Sequence, residues 1–262
     1  MLGGRNHGRQ RSVAAMRQLL APSGEAAVPA EVDPYDAYRP ARTSMLRLNM
    51  VASADGAATD ERGRTADLGG GGDLLVFRAL RAHADVILVG ANTVRAEGYG
   101  PHRLTRALTR QRAADGRDAP AAIVVVTATL DLDFAAPLFT EAVTPTVVLT
   151  CAAAPAKRQA SAAVAGRLLV AGDQRVDLAR GIAVLRSELG VKQVLCEGGP
   201  NVNGQLLAAG LVDELCLTVA PALLGGDGPR IVRGLSTRVS LGLIAAHECD
   251  GELFLRYEVM PP

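Results

Sequence analysis

Apolar residues in this chain arrive in short continuous runs, separated by glycine turns and by stretches of helical period. Asp85-Val-Ile-Leu-Val-Gly90, Ala122-Ile-Val-Val-Val-Thr127, Pro145-Thr-Val-Val-Leu-Thr150 and Val191-Lys-Gln-Val-Leu-Cys196 are of strand length and rich in β-branched residues. Runs that are apolar at successive positions mark strands covered on both faces. Residues 45–52 read as an earlier strand that ends at Ala54-Asp55-Gly56. Between the strands lie helical patterns. Residues 74–83 form one, with Asp73 as its N-cap. Residues 176–189 form another, which places Leu178, Ile182, Leu185 and Leu189 on one face. Residues 213–220 read as a further strand, followed by a glycine-rich bend, Leu224-Gly-Gly-Asp-Gly-Pro229. The final run, Leu253-Phe-Leu-Arg-Tyr-Glu-Val259, alternates as a half-exposed strand. Strands linked by helices, then strands without them, predict an α/β fold: a mostly parallel sheet with antiparallel strands added near the end.

Residues 1–43 break this pattern. A short helical run, 13–20, gives way to a segment interrupted by Pro22, Pro29, Pro34 and Pro40. That composition predicts an arm or linker ahead of a domain at 44–262, with Tyr35 and Tyr38 available to pin it to the body. The basic start, residues 1–11, is not followed by an apolar core, so it is not read as a secretory signal. No apolar run approaches the roughly 20 residues that span a bilayer. No membrane association is expected, and the cytoplasm is the expected location.

The 262 residues, 48% of them hydrophobic, suffice for one large domain or two small ones. Charge is balanced, 28 basic against 27 acidic residues, and aromatics are 3% of the chain. Neither a basic nucleic-acid surface nor a base-stacking platform is expected. The four cysteines, 151, 196, 216 and 249, form no Cys-x-x-Cys spacing. Cys196 and Cys216 lie in strand-like runs and read as small hydrophobes in a reducing compartment. The four histidines are scattered, so no metal site is expected.

The most telling polar stretch is Glu197-Gly-Gly-Pro-Asn-Val-Asn203, between a strand and a helical run. Free N–H groups at a helix N-terminus suit a phosphate. Gly198 and Gly199 permit close approach, and Pro200 fits the first turn. The plain alternative is a tight turn with no ligand. Two more strand ends, Gly90-Ala-Asn-Thr93 and Thr127-Ala-Thr129, carry similar residues. In an open parallel sheet, ligands bind at the carboxyl ends of the strands. Three such ends together predict one crevice for an extended nucleotide. Asp55 ends the first strand, either as part of an ordinary Asp-Gly turn or as a carboxylate that orients substrate. Glu197, at the end of a buried strand, needs a partner if water does not reach it.

Arg103, Arg106, Arg110, Arg112 and Arg117 sit in a long connection that reads as a solvated loop or as a source of one or two phosphate-gripping guanidinium groups. Arg103 is the nearest to a strand end. Gly69 to Gly72, ahead of a helix, reads as a phosphate loop or a flap. No Gly-x-Gly-x-x-Gly fingerprint and no Gly-Lys-Ser/Thr loop occurs, so a nucleotide site here belongs to another fold.

With these residues in place, the chain resembles the reductase domain of riboflavin biosynthesis proteins over residues 44–259. The resemblance is carried by Val51-Ala-Ser-Ala-Asp-Gly56, by Val86-Ile-Leu-Val-Gly-Ala-Asn-Thr-Val-Arg-Ala-Glu97, and by Glu197-Gly-Gly-Pro through to Pro221-Ala-Leu-Leu-Gly-Gly226. It implies a dihydrofolate-reductase-like three-layer sandwich, a homodimer, NADPH as hydride donor, and reduction of 5-amino-6-(5-phosphoribosylamino)uracil to its ribitylamino product. It also implies cofactor contacts at Ala52, Gly90, Thr93, Glu97, Thr127, Gly198, Gly199, Pro200, Asn201, Val202 and Asn203. Asn49, Ser53 and Arg103 are expected at the substrate. Asp55 and Glu197 are expected to orient the reacting group. The chain departs from bifunctional members of the family in three ways. It has no His-x-Glu with a Pro-Cys-x-x-Cys partner, so deamination is not expected. Leu74 and Leu75 stand where arginine is expected to hold the substrate, and Glu97 stands where aspartate is usual. Reduction of dihydrofolate or another pteridine is the alternative activity. A nucleotide-binding protein without turnover is the alternative outside enzymes.

Overall fold

A computed structural model describes residues 14–20, 30–60, 63–65 and 68–261. The basic N-terminal stretch, Pro22 and Pro29 lie outside the described residues. In chain order the elements are β1 (Arg17–Leu20), α1 (Pro34–Ala37), β2 (Met45–Ser53), α2 (Gly71–His83), β3 (Val86–Gly90) and α3 (Ala91–Glu97). Then follow α4 (Arg106–Ala114), β4 (Ala122–Val126), α5 (Pro137–Thr140), β5 (Val147–Thr150), α6 (Ala156–Ala165) and β6 (Arg167–Val170). The rest are α7 (Leu178–Leu189), β7 (Gln193–Cys196), α8 (Pro200–Ala208), β8 (Glu214–Ala220), β9 (Leu241–Cys249) and β10 (Glu252–Val259).

The ten strands of the described residues form one sheet in the order β1-β9-β10-β8-β2-β7-β3-β4-β5-β6. From β8 to β6 the pairings are parallel; β10 with β8, β9 with β10, and β1 with β9 are antiparallel. Because side chains alternate along a strand, each buried strand feeds two layers. Ile87 and Val89 of β3 pack into one core with Val76 and Leu80 of α2 and Phe254 of β10. Val86 and Leu88 pack into the other with Ile182 and Leu185 of α7 and Leu206 of α8. The result is the three-layer α/β sandwich expected, with the antiparallel strands contributed mainly by the C-terminus.

Three local expectations are corrected. Residues 17–20 of the run expected as a helix form strand β1 at the sheet edge, where Arg17 pairs with Glu248 of β9. An unfilled edge of hydrogen-bonding groups outweighs a weak helical period. Asp73 is not the N-cap of α2; the helix starts at Gly71, capped from outside by Glu252. The arginine-rich connection is largely helical, as α4 with Thr105 as its N-cap. There Arg112 is buried and donates to the carbonyls of Ala82, Ala84 and Ala119.

The segment ahead of β2 lies on the body. Tyr35 donates to Asp115 at 2.6 Å, and Arg47 donates to the Tyr38 carbonyl at 2.7 Å. Arg256 donates to the Ala37 carbonyl while its Nε and Nη2 hold Glu214 at 2.8 and 3.1 Å. This buried cluster closes the side of the sheet near α1.

Candidate active site

At the carboxyl ends of β2 and β7 the sheet opens into a cleft of 1090 Å³. Its floor is Asn49, Met50 and Val51 of β2, with Glu197 after β7. One wall is α2, through Asp73, Leu74, Phe77 and Arg81; another is α3, through Asn92, Thr93 and Glu97. The N-terminus of α8, Gly199 to Asn201, and the segment 227–233 close the rest. This is where α/β sheets place ligands.

Glu197 sits at the bottom, its side chain 3% exposed. Arg81 grips it with two parallel bonds of 2.7 Å from Nε and Nη2, and the Tyr99 hydroxyl donates a third of 2.7 Å. The guanidinium of Arg81 also lies 4.0 Å from the centroid of the Phe77 ring. Burial opposes the charge on Arg81, but Glu197 beside it holds the guanidinium above its ordinary pKa. Burial, then the charge of Glu197, pushes the Tyr99 hydroxyl well up, so it stays a donor. Glu197 thus accepts three hydrogen bonds, with both of its oxygens engaged. It orients Arg81 and Tyr99 at the cleft.

The turn that follows is built for a close approach of backbone to ligand. Gly199 is the N-cap of α8 and supplies no side-chain cap, and among the described residues no other side chain bonds the N–H groups of Gly199 or Asn201. A Cβ at Gly199 would stand 2.9 Å from Thr93 Oγ1, and one at Gly90 would stand 3.3 Å from Val202 Cγ2. The Gly90 N–H donates to the Gly198 carbonyl at 2.8 Å, which ties the ends of β3 and β7 together. The peptide between Gly198 and Gly199 is cis. An uncapped helix start with small residues on both sides fits a phosphate-bearing dinucleotide.

The sequence-predicted residues divide. Asn49, Thr93, Glu97, Glu197, Gly199, Pro200 and Asn201 line the cleft, Glu97 also accepting from the Thr65 N–H at 2.7 Å. Ala52, Ser53, Asp55, Gly90, Thr127, Gly198, Val202, Asn203 and Arg103 stand behind or beyond its lining. Thr127 accepts from the Leu130 N–H, Val202 is in the core, and Asn203 donates to the Ile231 carbonyl. The Asp55 carboxylate accepts from the Ser53 hydroxyl and from the N–H groups of Leu224 and Gly225. These bonds, the Ser53 one first, pull its pKa down to about 2. Asp55 therefore clips the turn after β2 to the turn after β8. Arg103 is exposed and pairs with Glu141 at 3.3 Å, away from the cleft.

Sequence reasoning missed Asp73, Arg81, Tyr99, Arg230 and Arg233 as site residues, and all are on the cleft lining. One signal existed: Glu197 demanded a partner, and Arg81 with Tyr99 is that partner. Arg230 and Arg233 pair with no carboxylate among the described residues, and they follow the glycine-rich bend that brings them over the cleft. Arg230 also donates to the Asp55 carbonyl at 2.9 Å. At the loop Gly69 to Gly72, Glu252 accepts from the Gly70 N–H and, just beyond the loop, from the Asp73 N–H, so the protein's own carboxylate stands at this helix start.

Comparison with known proteins gives concordant results. Residues 44–255 match the family described as the RibD C-terminal domain. The 2,5-diamino-6-ribosylamino-4(3H)-pyrimidinone 5′-phosphate reductase of Methanothermobacter thermautotrophicus is 32% identical over 218 residues, covering 81% of this chain and 96% of that protein. The protein of the same description from Archaeoglobus fulgidus is 28% identical over 210 residues, covering 80% and 87%. Among solved structures, a pyrimidine reductase-like protein from Corynebacterium diphtheriae superposes with a TM-score of 0.79 at 27% identity, covering 88% of this chain and all of that one. The riboflavin biosynthesis reductase of Saccharomyces cerevisiae shares the fold, with a TM-score of 0.64 at 19% identity, covering 87% and 95%.

Proposed function

The chain belongs to the RibD C-terminal domain family, and from that membership we propose that it is a riboflavin-pathway reductase acting on a phosphoribosylaminopyrimidine. The fold is the dihydrofolate-reductase-like α/β sandwich of the family. The relatives at 32% and 28% identity are named as reductases of 2,5-diamino-6-ribosylamino-4(3H)-pyrimidinone 5′-phosphate. The observation that carries the reading is the cleft itself. An uncapped helix start and two arginines without a carboxylate partner among the described residues, Arg230 and Arg233, flank a floor of buried polar groups.

A nicotinamide cofactor supplies the hydride when bound, and NADPH is the form proposed. Gly199, Pro200, Asn201 and Thr93 would hold it, because they present backbone and a hydroxyl at a helix start with no side chain in the way. Arg230 and Arg233 replace Arg103 as the proposed grip on the substrate phosphate, since they line the cleft and Arg103 does not. Glu197 fixes Arg81 and Tyr99, so the donors at the floor are held before substrate arrives. The pteridine alternative has one observation in its favour: Asp73 supplies a cleft carboxyl able to pair with a 2-aminopyrimidinone ring. The arginines over the cleft and the named relatives favour the phosphorylated substrate.

We also place the protein in the cytoplasm as a homodimer. No helix among the described residues is long and apolar enough to cross a membrane. Leu243, Leu253, Leu255 and Tyr257 lie together on a face of β9 and β10 that is exposed or half-exposed. Light scattering on the purified protein should give twice the chain mass; a monomer would remove the dimer. The activity is tested by NADPH oxidation with the phosphoribosylaminopyrimidines, with NADH and dihydrofolate run alongside. Turnover of a pyrimidine substrate is expected. Turnover of dihydrofolate alone would leave the fold and cofactor and overturn the substrate.

A further inference from the structure

Four carboxyl groups line the cleft: Glu97 and Glu197 are engaged within the protein, Asp227 stands on the segment 227–233 that closes the cleft, and Asp73 stands on α2. Glu197 is filled by Arg81 and Tyr99. Glu252, buried behind the lining, spends one oxygen on the Gly70 N–H and the other on the Asp73 N–H. Glu97 accepts from Thr65 at the rim. Asp73 differs. Its Oδ1 accepts from the Thr218 hydroxyl at 2.7 Å, while Oδ2 has no hydrogen-bond donor among the described residues. No cation among the described residues pairs with it, and it lines the cleft one turn from Phe77 on α2. An oriented carboxyl with Oδ2 free and a second lone pair left on Oδ1 is a recognition group in search of donors.

We propose that Asp73 is the residue that selects the pyrimidine ring: its carboxylate takes the 2-amino group and the adjacent ring N–H of a 2-aminopyrimidinone, and so discriminates against the corresponding uracil. This rests on the reading of the protein as a phosphoribosylaminopyrimidine reductase. The two candidate rings differ at one edge. The 2-aminopyrimidinone presents two neighbouring donors there, the exocyclic N–H and the N3–H. The uracil presents a carbonyl oxygen beside the N3–H. Two carboxylate oxygens match the first edge and set oxygen against oxygen at the second. The edge lies across the ring from the carbon that carries the ribosylamino group. Seating it on Asp73 leaves the sugar phosphate to extend toward the arginines of segment 227–233. The preference runs toward the ring named in the relatives at 32% and 28% identity and away from the uracil expected from the sequence. Burial, opposed by the Thr218 bond and reinforced by Glu252, raises the Asp73 pKa to about 6. Near neutral pH the group is therefore ionised and an acceptor.

The test is the ratio of kcat/KM for the two phosphoribosylamino substrates, measured at pH 7.5 with wild type and with Asp73→Asn. A bidentate pair discriminates by about 1–3 kcal/mol, which converts to roughly tenfold or more. Wild type should prefer the 2-aminopyrimidinone by about that factor. The side-chain amide of the Asp73→Asn variant offers one donor and one acceptor, which match the uracil edge, so the preference should reverse. A ratio is internal to each variant, so a general loss of folded enzyme cancels. NADPH affinity within twofold of wild type serves as the folding control. If Asp73→Asn does not fold, Asp73→Ser should bring the ratio close to unity. A ratio that stays at the wild-type value in the variant that folds overturns the assignment. So does a wild-type preference for the uracil, which would leave the reductase reading intact. If wild type reduces neither pyrimidine, that reading falls and the assignment falls with it.

Discussion

Two glycine-rich turns lead into helices on the rim of the same cleft, and they have opposite uses. Gly69 to Gly72 opens α2, and Gly198 to Gly199 opens α8. Both have the composition of an anion cradle. At α2 the cradle is filled from within, because the carboxylate of Glu252, 3% exposed, accepts from the N–H groups of Gly70 and Asp73 at 2.7 and 3.1 Å. At α8 no side chain among the described residues caps the helix, and its first residues face open volume. A helix N-terminus attracts negative charge in either case. Whether that charge is the protein's own or a ligand's depends on a residue far along the chain, here one on β10.

This contrast can be broken at several points. The largest effect is expected on the α8 side, at the group that anchors its turn. Glu197→Gln would leave Arg81, 16% exposed, without its charge partner, and a broken buried pair costs about 3–5 kcal/mol. Urea unfolding should show that loss, together with weakened substrate binding. On the α2 side, Glu252→Ala would uncover two N–H groups and should cost about 1–3 kcal/mol, with NADPH affinity changed less than twofold. Equal losses of stability and NADPH binding would mean that α2, too, serves the cofactor.

A smaller effect is expected from Asp73→Asn, and its sign follows from the raised pKa. The folded protein holds the Asp73 proton more tightly than the unfolded chain does, so wild type loses stability as pH rises from about 4 through about 6. The charged groups around it are Glu252 on β10 and, two turns along α2, Arg81, which is committed to Glu197. The Asn variant should match wild type near pH 4 and exceed it by about 1–2 kcal/mol at pH 8, once the half-buried position is allowed for. Thermal melts at the two pH values check this. Gly199→Ala should change stability by less than about 1 kcal/mol, since a hydroxyl rotamer at Thr93 can give way. It should still weaken NADPH about tenfold by filling the approach to the helix start, as measured by titration.

The inner parallel strands β3, β4, β5 and β7 were legible because they are buried and read as apolar runs, whereas the parallel edge strand β6, with Arg167 and Val170 exposed, was not. Helix α7 was legible for a related reason: Leu178, Ile182 and Leu185 repeat at helical spacing, with Asp177 capping the start. The edge strand β1 was not, since what makes residues 17–20 a strand is the open side of β9, where Glu248 lies 231 positions from Arg17. Thr93, Glu197 and Gly199 stand out from their position at strand ends and Glu97 from the family resemblance, and all four line the cleft. Asp55 and Arg103 were assigned by type, a carboxylate and a guanidinium near strand ends. Their partners, the turn at 224–225 and Glu141, are set by tertiary folding. Arg230 and Arg233 gave no sign in the sequence, because they reach the cleft only through the bend after β8. The meaning of Asp73 likewise needed Thr218, a residue 145 positions on.

The seat of β2 at the centre of the sheet has a consequence for how the chain is made. Its neighbours are β7 on one side and β8 on the other, and the Leu46 N–H meets Asp213, 167 positions later. A strand emerging early from a ribosome would wait with both edges open until nearly the whole polypeptide had been synthesised. Contacts of such long range make assembly slow, and unpaired edges invite pairing with other molecules. A nascent chain that stops before residue 193 would expose β2 as a template for aggregation, so this protein should depend on holding factors during synthesis more than its modest size suggests.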